Sequence, residues 1–184
     1  MEYKLTAPCT AADLAPLRAG DTVLLSGVVY TARDQAHKRM LEALDAGQPL
    51  PFPIEGSAIY YVGPTPERPG QVIGSAGPTT SGRMDAMSPR LLDLGNKIMI
   101  GKGKRSDAVK AAVQRNGAVY LAALGGAGAL MARSVTSLEV IAWPDLGCEA
   151  VRRLTVENMP LTVILDSVGG DLYQSGPAAY LASL

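Results

Sequence analysis

The stretch Gly77-Pro78-Thr79-Thr80-Ser81-Gly82-Arg83-Met84-Asp85 holds the residue types best suited to chemistry. Three hydroxyls stand in a row, and a glycine and a lone arginine come next. The apolar run Gln71 to Ala76 precedes them and reads as a strand, while Leu91, Leu92 and Leu94 read as one side of a following helix. Gly77 and Pro78 punctuate the strand end. Hydroxyls and unpaired N–H groups at the mouth of a helix favour an anion, because the dipole is positive there. Arg83 adds a planar fork that matches a carboxylate. The chemistry is that of an oxyanion pocket. The same residues would also make a plain helix cap, with Asp85 suited to a first turn. Spacing alone leaves these two readings level.

Two more cations stand where strands are expected to run out, Arg33 and Lys102. Ligands in α/β folds gather at such ends. A single arginine or lysine is ordinarily a solvated surface charge. Three at strand ends, two of them in glycine-rich surroundings, favour function. His37, four residues beyond Arg33, shares a helix face with it, and Asp34 and Lys38 share the next. His37 either tunes the pocket from behind or is an ordinary surface histidine, the reading slightly preferred. Asp85 either orients the Arg83 guanidinium or serves the helix.

The elements that must position these residues come from periodicity and punctuation. Leu5-Thr6-Ala7-Pro8 reads as a short edge strand and Ala11 to Leu17 as a helical turn. Asp21 to Ala32 is a strand with Gly27 as a bulge or close-approach point. Arg33 to Ala46 is a helix on Ala36, Met40, Ala43 and Leu44, stopped by Gly47. A proline-rich extended loop covers 48 to 56. Further strands are expected at Ala58 to Val62, Gln71 to Ala76, Lys97 to Gly101, Ala118 to Ala122, Leu138 to Trp143, Val151 to Val156 and Leu161 to Asp166. Helices are expected at Met84 to Leu94, broken or kinked by Pro89, at Asp107 to Arg115 capped by Ser106, and at Gly128 to Val135. Val168 to Asp171 is a turn, and a frayed helix runs from Ala178 to Leu184. Alternating strands and helices give a mixed α/β chain, and the back-to-back late strands predict a sheet that is not purely parallel.

Composition narrows the function. The chain has 184 residues, 47% of them hydrophobic and 18% charged, so one domain over 1–184 with a real core is expected. A formal net charge of zero argues against nucleic acid. No apolar run reaches the ~20 residues that cross a membrane. Met1-Glu2-Tyr3-Lys4 lacks the features of an export signal, so a cytoplasmic, reduced chain is expected. One histidine excludes a multi-histidine metal site within the chain. Cys9 and Cys148 stand too far apart in sequence to form a metal-ligand pair. Gly101-Lys102-Gly103-Lys104-Arg105-Ser106 lacks the spacing of a phosphate loop, and Gly125-Gly126-Ala127-Gly128 that of a dinucleotide fingerprint.

The wording of these blocks resembles one family. The opening stretch, Met99-Ile100-Gly101-Lys102-Gly103, Thr31-Ala32-Arg33-Asp34-Gln35-Ala36-His37-Lys38-Arg39, Gly125 to Leu130 and Asp145-Leu146-Gly147-Cys148-Glu149-Ala150 lie within about Leu5 to Tyr173. They resemble the C-terminal domain, or separate beta subunit, of the iron–sulfur (class I) fumarases and the L-tartrate dehydratases. The resemblance implies a layered β/β/α "swivelling" domain with a mixed sheet. It implies reversible hydration of fumarate to L-malate, with a [4Fe–4S] cluster as Lewis acid. It places Arg33, Arg83 and Lys102, with Thr80, on the substrate carboxylates, and it makes Thr79 a candidate base for the Cβ proton. An aliphatic hydroxyl is a poor base unless something activates it. Thr79 therefore stands equally as a base and as a hydrogen-bond partner only.

Such a cluster needs three thiolates, and the chain has two cysteines. The expectation is a beta subunit, inactive alone, whose alpha partner holds the cluster, assembled as α2β2. The alternatives are an L-tartrate dehydratase beta subunit and a stand-alone dicarboxylate-binding module.

Overall fold

Runs of apolar and β-branched residues make the middle of the chain into strands. The computed structural model describes residues 1–183. Its strands are β1 (Glu2–Ala7), β2 (Thr22–Thr31), β3 (Ala58–Tyr60), β4 (Ile98–Gly101), β5 (Val119–Ala122), β6 (Val135–Ala142) and β7 (Val151–Leu165). Its helices are α1 (Ala11–Leu14), α2 (Asp34–Asp45), α3 (Ser88–Asp93), α4 (Asp107–Arg115), α5 (Gly128–Arg133) and α6 (Leu172–Ala182). The sheet order is β1-β2-β3-β4-β5-β7-β6, and β7 also pairs with β2. β1 to β5 are parallel neighbours, whereas β7 runs antiparallel to β5, β2 and β6. The sheet is therefore mixed, as the late strands predict, and the second β7 pairing closes β2, β3, β4, β5 and β7 into a ring.

Period-2 alternation sends each strand's side chains to two cores. Val29, Tyr60, Ile98, Ile100, Leu121, Leu154 and Val163 fill the inside of the ring. Ile59, Tyr61, Met99, Tyr120 and Ile164 face outward, where α2, α3 and α4 cover them through Met40, Leu91, Leu92, Val109 and Val113. Two sheet limbs and a helical layer give the β/β/α layering. Ser106 caps α4, its hydroxyl accepting from Val109 N, and Asp171 caps α6 by accepting from Tyr173 N at 3.0 Å.

Four elements depart from the sequence expectation. Gln71 to Ala76 is not a strand. Its groups bond sideways to the proline-rich loop, Ser75 N to Thr65 Oγ1 at 2.8 Å and Thr65 N to the Ser75 carbonyl at 3.0 Å. Val151 to Val156 and Leu161 to Asp166 are one strand, because β7 carries the turn-like Asn158 (φ 47°) and Pro160 as a local irregularity without breaking. Met84 to Leu94 splits into a 3-10 turn at Ser81–Met84 and α3, and Pro89 sits in the first turn of α3, where it opens a helix. The last helix starts earlier, at Leu172; Leu184 lies outside the described residues.

Gly27 is both a bulge and a close approach. The β2–β7 register shifts between Leu25 and Gly27, and Gly27 has φ +97°. A Cβ there would run into the Ala7 carbonyl of β1. Gly27→Ala is expected to cost about 2 kcal/mol or more of unfolding free energy, from left-handed strain plus a backbone clash, read by urea denaturation.

Candidate active site

The parallel strands β2 to β5 end at one edge of the sheet, so the segments that leave them are assembled there. Arg33 comes after β2, Tyr61 to Gly63 after β3, Lys102 after β4, and Leu124-Gly125-Gly126 just after β5. The Gly77–Arg83 loop lies across these ends and is tied to them by backbone. Thr79 N donates to the Tyr61 carbonyl (2.7 Å) and Ser81 N to the Lys102 carbonyl (2.9 Å). Thr80 forms an isolated parallel bridge with Lys102. Ser81 Oγ accepts from Lys102 N at 3.0 Å. This approach needs Gly101, because a Cβ there would collide with Ser81 Oγ.

Two of the cations meet over a shared carboxylate. Asp34 Oδ2 lies 3.5 Å from Arg33 Nη2 and 4.0 Å from Arg83 Nη1. Glu149 Oε1 is also 3.5 Å from Arg33 Nη2. Charge-assisted N–H···O bonds are shorter, about 2.7–2.9 Å, so both guanidinium groups keep donors in reserve. Arg33 Nε is buried without a hydrogen-bond partner. Arg33 packs against Gly63, where a side chain would displace Nη1. Arg83 is the exposed member, its side chain 56% accessible against 18% for Arg33. Lys102 is half-buried, with its stem beside Gly125. Thr79 is half-buried and Thr80 exposed on the same edge.

His37 is not on the surface. It is fully buried, because α2 turns Ala36, His37 and Met40 together toward the outer core. Nδ1 lies 3.0 Å from the Arg33 carbonyl and so must carry the proton, while Nε2 is buried without a partner. The ring meets Tyr61 edge-on at 5.3 Å. Burial pushes the imidazole down to about 4, and the nearby Arg105 cation adds to this. A neutral His37 thus sits behind Arg33, bonded to its backbone. The Asp85 carboxylate makes no pair with the Arg83 guanidinium and serves no helix first turn. It comes after the 3-10 turn, and its two oxygens accept from Arg105 Nε and Ser106 N, both at 2.6 Å. Lys38 does not pair with Asp34 but lies 3.9 Å from Glu42 on the surface.

Sequence reasoning passed over Asp34 and Glu149 as partners of Arg33, and over Arg105, Tyr61 and Tyr120 beneath the loop. Glu149 carried a signal, since it belongs to one of the ordered blocks. Arg105 carried none: it reads as the last of a run of surface cations, yet its side chain is wholly inaccessible.

The two thiols do not fit a [4Fe–4S] cluster. Cys9 is buried, burial pushes it up to about 11, and its N–H donates to the Gly56 carbonyl at the far end of β3 from the Gly77–Arg83 loop. Cys148 is exposed. Among the described residues no three His, Cys, Asp or Glu side chains are grouped to hold a metal. Two cavities, of about 510 and 420 Å³, open beside the Thr65–Ser75 loop. Neither is lined by Arg33, Thr79, Arg83 or Lys102, and the chemistry-bearing residues stand on the open sheet end instead. No helix of the described residues is long and apolar enough to cross a membrane.

The class this defines is a mixed α/β chain that presents cations and hydroxyls at the carboxyl ends of its parallel strands. Residues 1–176 match the family described as Fumarase C-terminus, and the chain belongs to that family. It is 39% identical to fumarate hydratase 2 of Leishmania major over 88% of its own length and 29% of that protein's. It is 38% identical to the aerobic class I fumarate hydratase of Escherichia coli (strain K12), over 89% of its length and 30% of the enzyme's. The chain thus spans under a third of the fumarate hydratases it matches. Against the L(+)-tartrate dehydratase subunit beta of the same E. coli strain, identity is 32% over 94% of this chain and 87% of that subunit.

Acid weakens the fold through His37. The unfolded imidazole takes a proton near 6.5 and the folded one only near 4. Stability present above pH 6.5 is therefore lost as pH falls toward 4, by up to about 3 kcal/mol for such a shift. Comparing unfolding free energies at pH 7 and pH 4.5 should show a clear drop that His37→Gln reduces.

Proposed function

We propose that this chain is the beta subunit of an iron–sulfur hydro-lyase that reversibly hydrates fumarate to L-malate, supplying the grip on the substrate carboxylates. The observation that carries the reading is the gathering of Arg33, Arg83 and Lys102 at one sheet end, around a hydroxyl-rich loop. A dianion with a carboxylate at each end calls for separated cations, and two bidentate forks and one point charge meet that need. Removing a proton alpha to a carboxylate puts more negative charge on an already dianionic substrate. Fixed donors stabilise that charge where it develops.

Each residue has its part. Arg33 and Arg83 exchange their long contacts with Asp34 and Glu149 for shorter ones to the substrate. Lys102 and Thr80 hold the other carboxylate. Thr79 faces the reacting carbon as base or as hydrogen-bond partner. Among the described residues no side chain is bonded to its hydroxyl in a way that would activate it, so a base role would need a group from another chain.

The cluster belongs to an alpha partner, since two thiols at different ends of the fold cannot hold it. The assembly we propose is α2β2 in the cytoplasm. The openness of the cationic sheet end supports a half-site that another surface completes. An L-tartrate dehydratase subunit beta is the second reading, favoured by the likeness along 87% of such a subunit. Its substrate needs the same two-ended grip and adds a hydroxyl.

Expressed alone, the chain should be folded, colourless and without fumarase or tartrate dehydratase activity; a brown, active preparation would overturn the proposal. Co-expression with a cysteine-bearing alpha chain, without oxygen, should give turnover, and the faster of fumarate and L-tartrate assigns the substrate. In that complex Arg83→Ala should lower kcat/KM by about 10²-fold or more with an unchanged melting temperature, because Arg83 is exposed. Full activity in that variant would remove Arg83 from the site.

A further inference from the structure

The most unusual charge in the molecule lies beneath the site rather than in it. Arg105 has a side chain with no accessible surface. Its Nε donates to Asp85 Oδ1 at 2.6 Å, its Nη2 to Ser88 Oγ at 3.0 Å, and its Nη1 approaches Met99 Sδ at 3.4 Å. The guanidinium carbon is 5.3 Å from the Tyr61 ring centre and 4.9 Å from that of Tyr120. A buried cation costs stability unless it is paired and its protons are used. Here one carboxylate, one hydroxyl and two π faces meet that demand.

Each partner leads to a different part of the grip. Asp85 closes the 3-10 turn that carries Arg83, its N–H donating to the Gly82 carbonyl at 3.2 Å, and its second oxygen also fixes Ser106 N at 2.6 Å. The Tyr61 carbonyl receives Thr79 N, and the Tyr61 ring packs on His37, whose Nδ1–H bonds the Arg33 carbonyl. Tyr120 Oη lies 2.9 Å from Ser81 Oγ, which accepts from Lys102 N, and 3.0 Å from the carbonyl of Gly103, the next residue. One buried cation thus touches the supports of Arg33, Thr79, Arg83 and Lys102.

We propose that Arg105 is a positioning residue that sets the spacing and aim of these four groups. It reaches no substrate itself. This rests on the reading of Arg33, Arg83 and Lys102 as the substrate grip. A planar fork suits the task where an ammonium would not, because Nε and Nη2 fix two directions at once. Displacing a reacting group by about 1 Å can cost ~10²-fold in rate. A loosened grip still presents the same surface charges, so binding should suffer less than turnover.

The test uses the assembled alpha–beta complex and two variants. Arg105→Lys keeps the charge and loses the fork. Asp85→Asn with Arg105→Met removes the ion pair as a unit and leaves no lone buried charge. Each should lower kcat about 10- to 100-fold and raise KM by a smaller factor. In 15N-labelled beta chain alone, the Thr79, Ser81, Lys102 and Gly103 amide resonances should shift, while those of the ring interior, such as Leu154 and Val163, stay in place. A folded Arg105→Lys chain with wild-type kcat, or with those four amides unmoved, would overturn the proposal. So would a loss that appears only as a lowered melting temperature and vanishes when activity is measured well below it. Arg83→Ala in the same assay separates the two ideas. If it retains full activity, the grip itself is misassigned; if it is inactive while Arg105→Lys is fully active, only the positioning role fails.

Discussion

Holding like charges side by side with no ligand between them is the constraint that shapes this sheet end. Two unit charges a few ångströms apart near a protein surface repel by several kcal/mol. The chain meets this with carboxylates of its own: Asp34 stands between Arg33 and Arg83, and Glu149 flanks Arg33 from the loop before β7. Neither contact is short. The acidic groups offset the repulsion with only a weak hold on each guanidinium. In the proposed function an incoming diacid would take over that role with better geometry. Preorganisation of this kind costs free energy in folding, not at each binding event.

Sheet topology makes the arrangement possible. Four neighbouring parallel strands deliver their following residues to one edge, and loops there can vary without disturbing either core. Two further features contribute. Gly101 and Gly63 lack the side chains that would keep the Ser81 loop and Arg33 away. The second pairing of β7 with β2 closes the ring and runs along β2 as far as Thr31, so the position of Arg33 is inherited from the fold and not from a free loop. Rigid strands with a few close approaches hold a site more tightly than loops alone.

How much of this the sequence discloses depends on the range of the forces involved. The three cations, the hydroxyl run and the mixed sheet are legible, because strand ends and glycine punctuation are local signals. Gln71 to Ala76 misleads because its apolar residues are those of a loop packed against Thr65, a contact no local pattern announces. The long β7 looks like two strands because Asn158 and Pro160 mimic a turn near its middle. His37 and Arg105 are the deeper failures. Both look like surface residues on their own segments, and both are buried by elements that lie elsewhere in the chain: His37 under Tyr61, and Arg105 between Tyr61, Tyr120 and Asp85. Burial of a polar side chain is decided by its tertiary partners, and a single sequence holds no sign of those.

These two buried groups also explain each other. They lie on the same side of the sheet, and the Arg105 charge disfavours protonation of His37. Two cations below the sheet end would repel one another and would add to the repulsion among the three above. The fold keeps one permanent cation, which can be fully paired through Asp85, Ser88 and two rings, and one imidazole that stays neutral through burial. A neutral His37 still donates from Nδ1 to the Arg33 carbonyl, so it can hold the backbone of Arg33 without adding charge beneath it. A lysine at that position would also donate, but only by bringing a charge with nothing to pair it. The choice of histidine for one support and arginine for the other therefore stems from the same electrostatic limit that sets Asp34 between the two guanidinium groups at the surface.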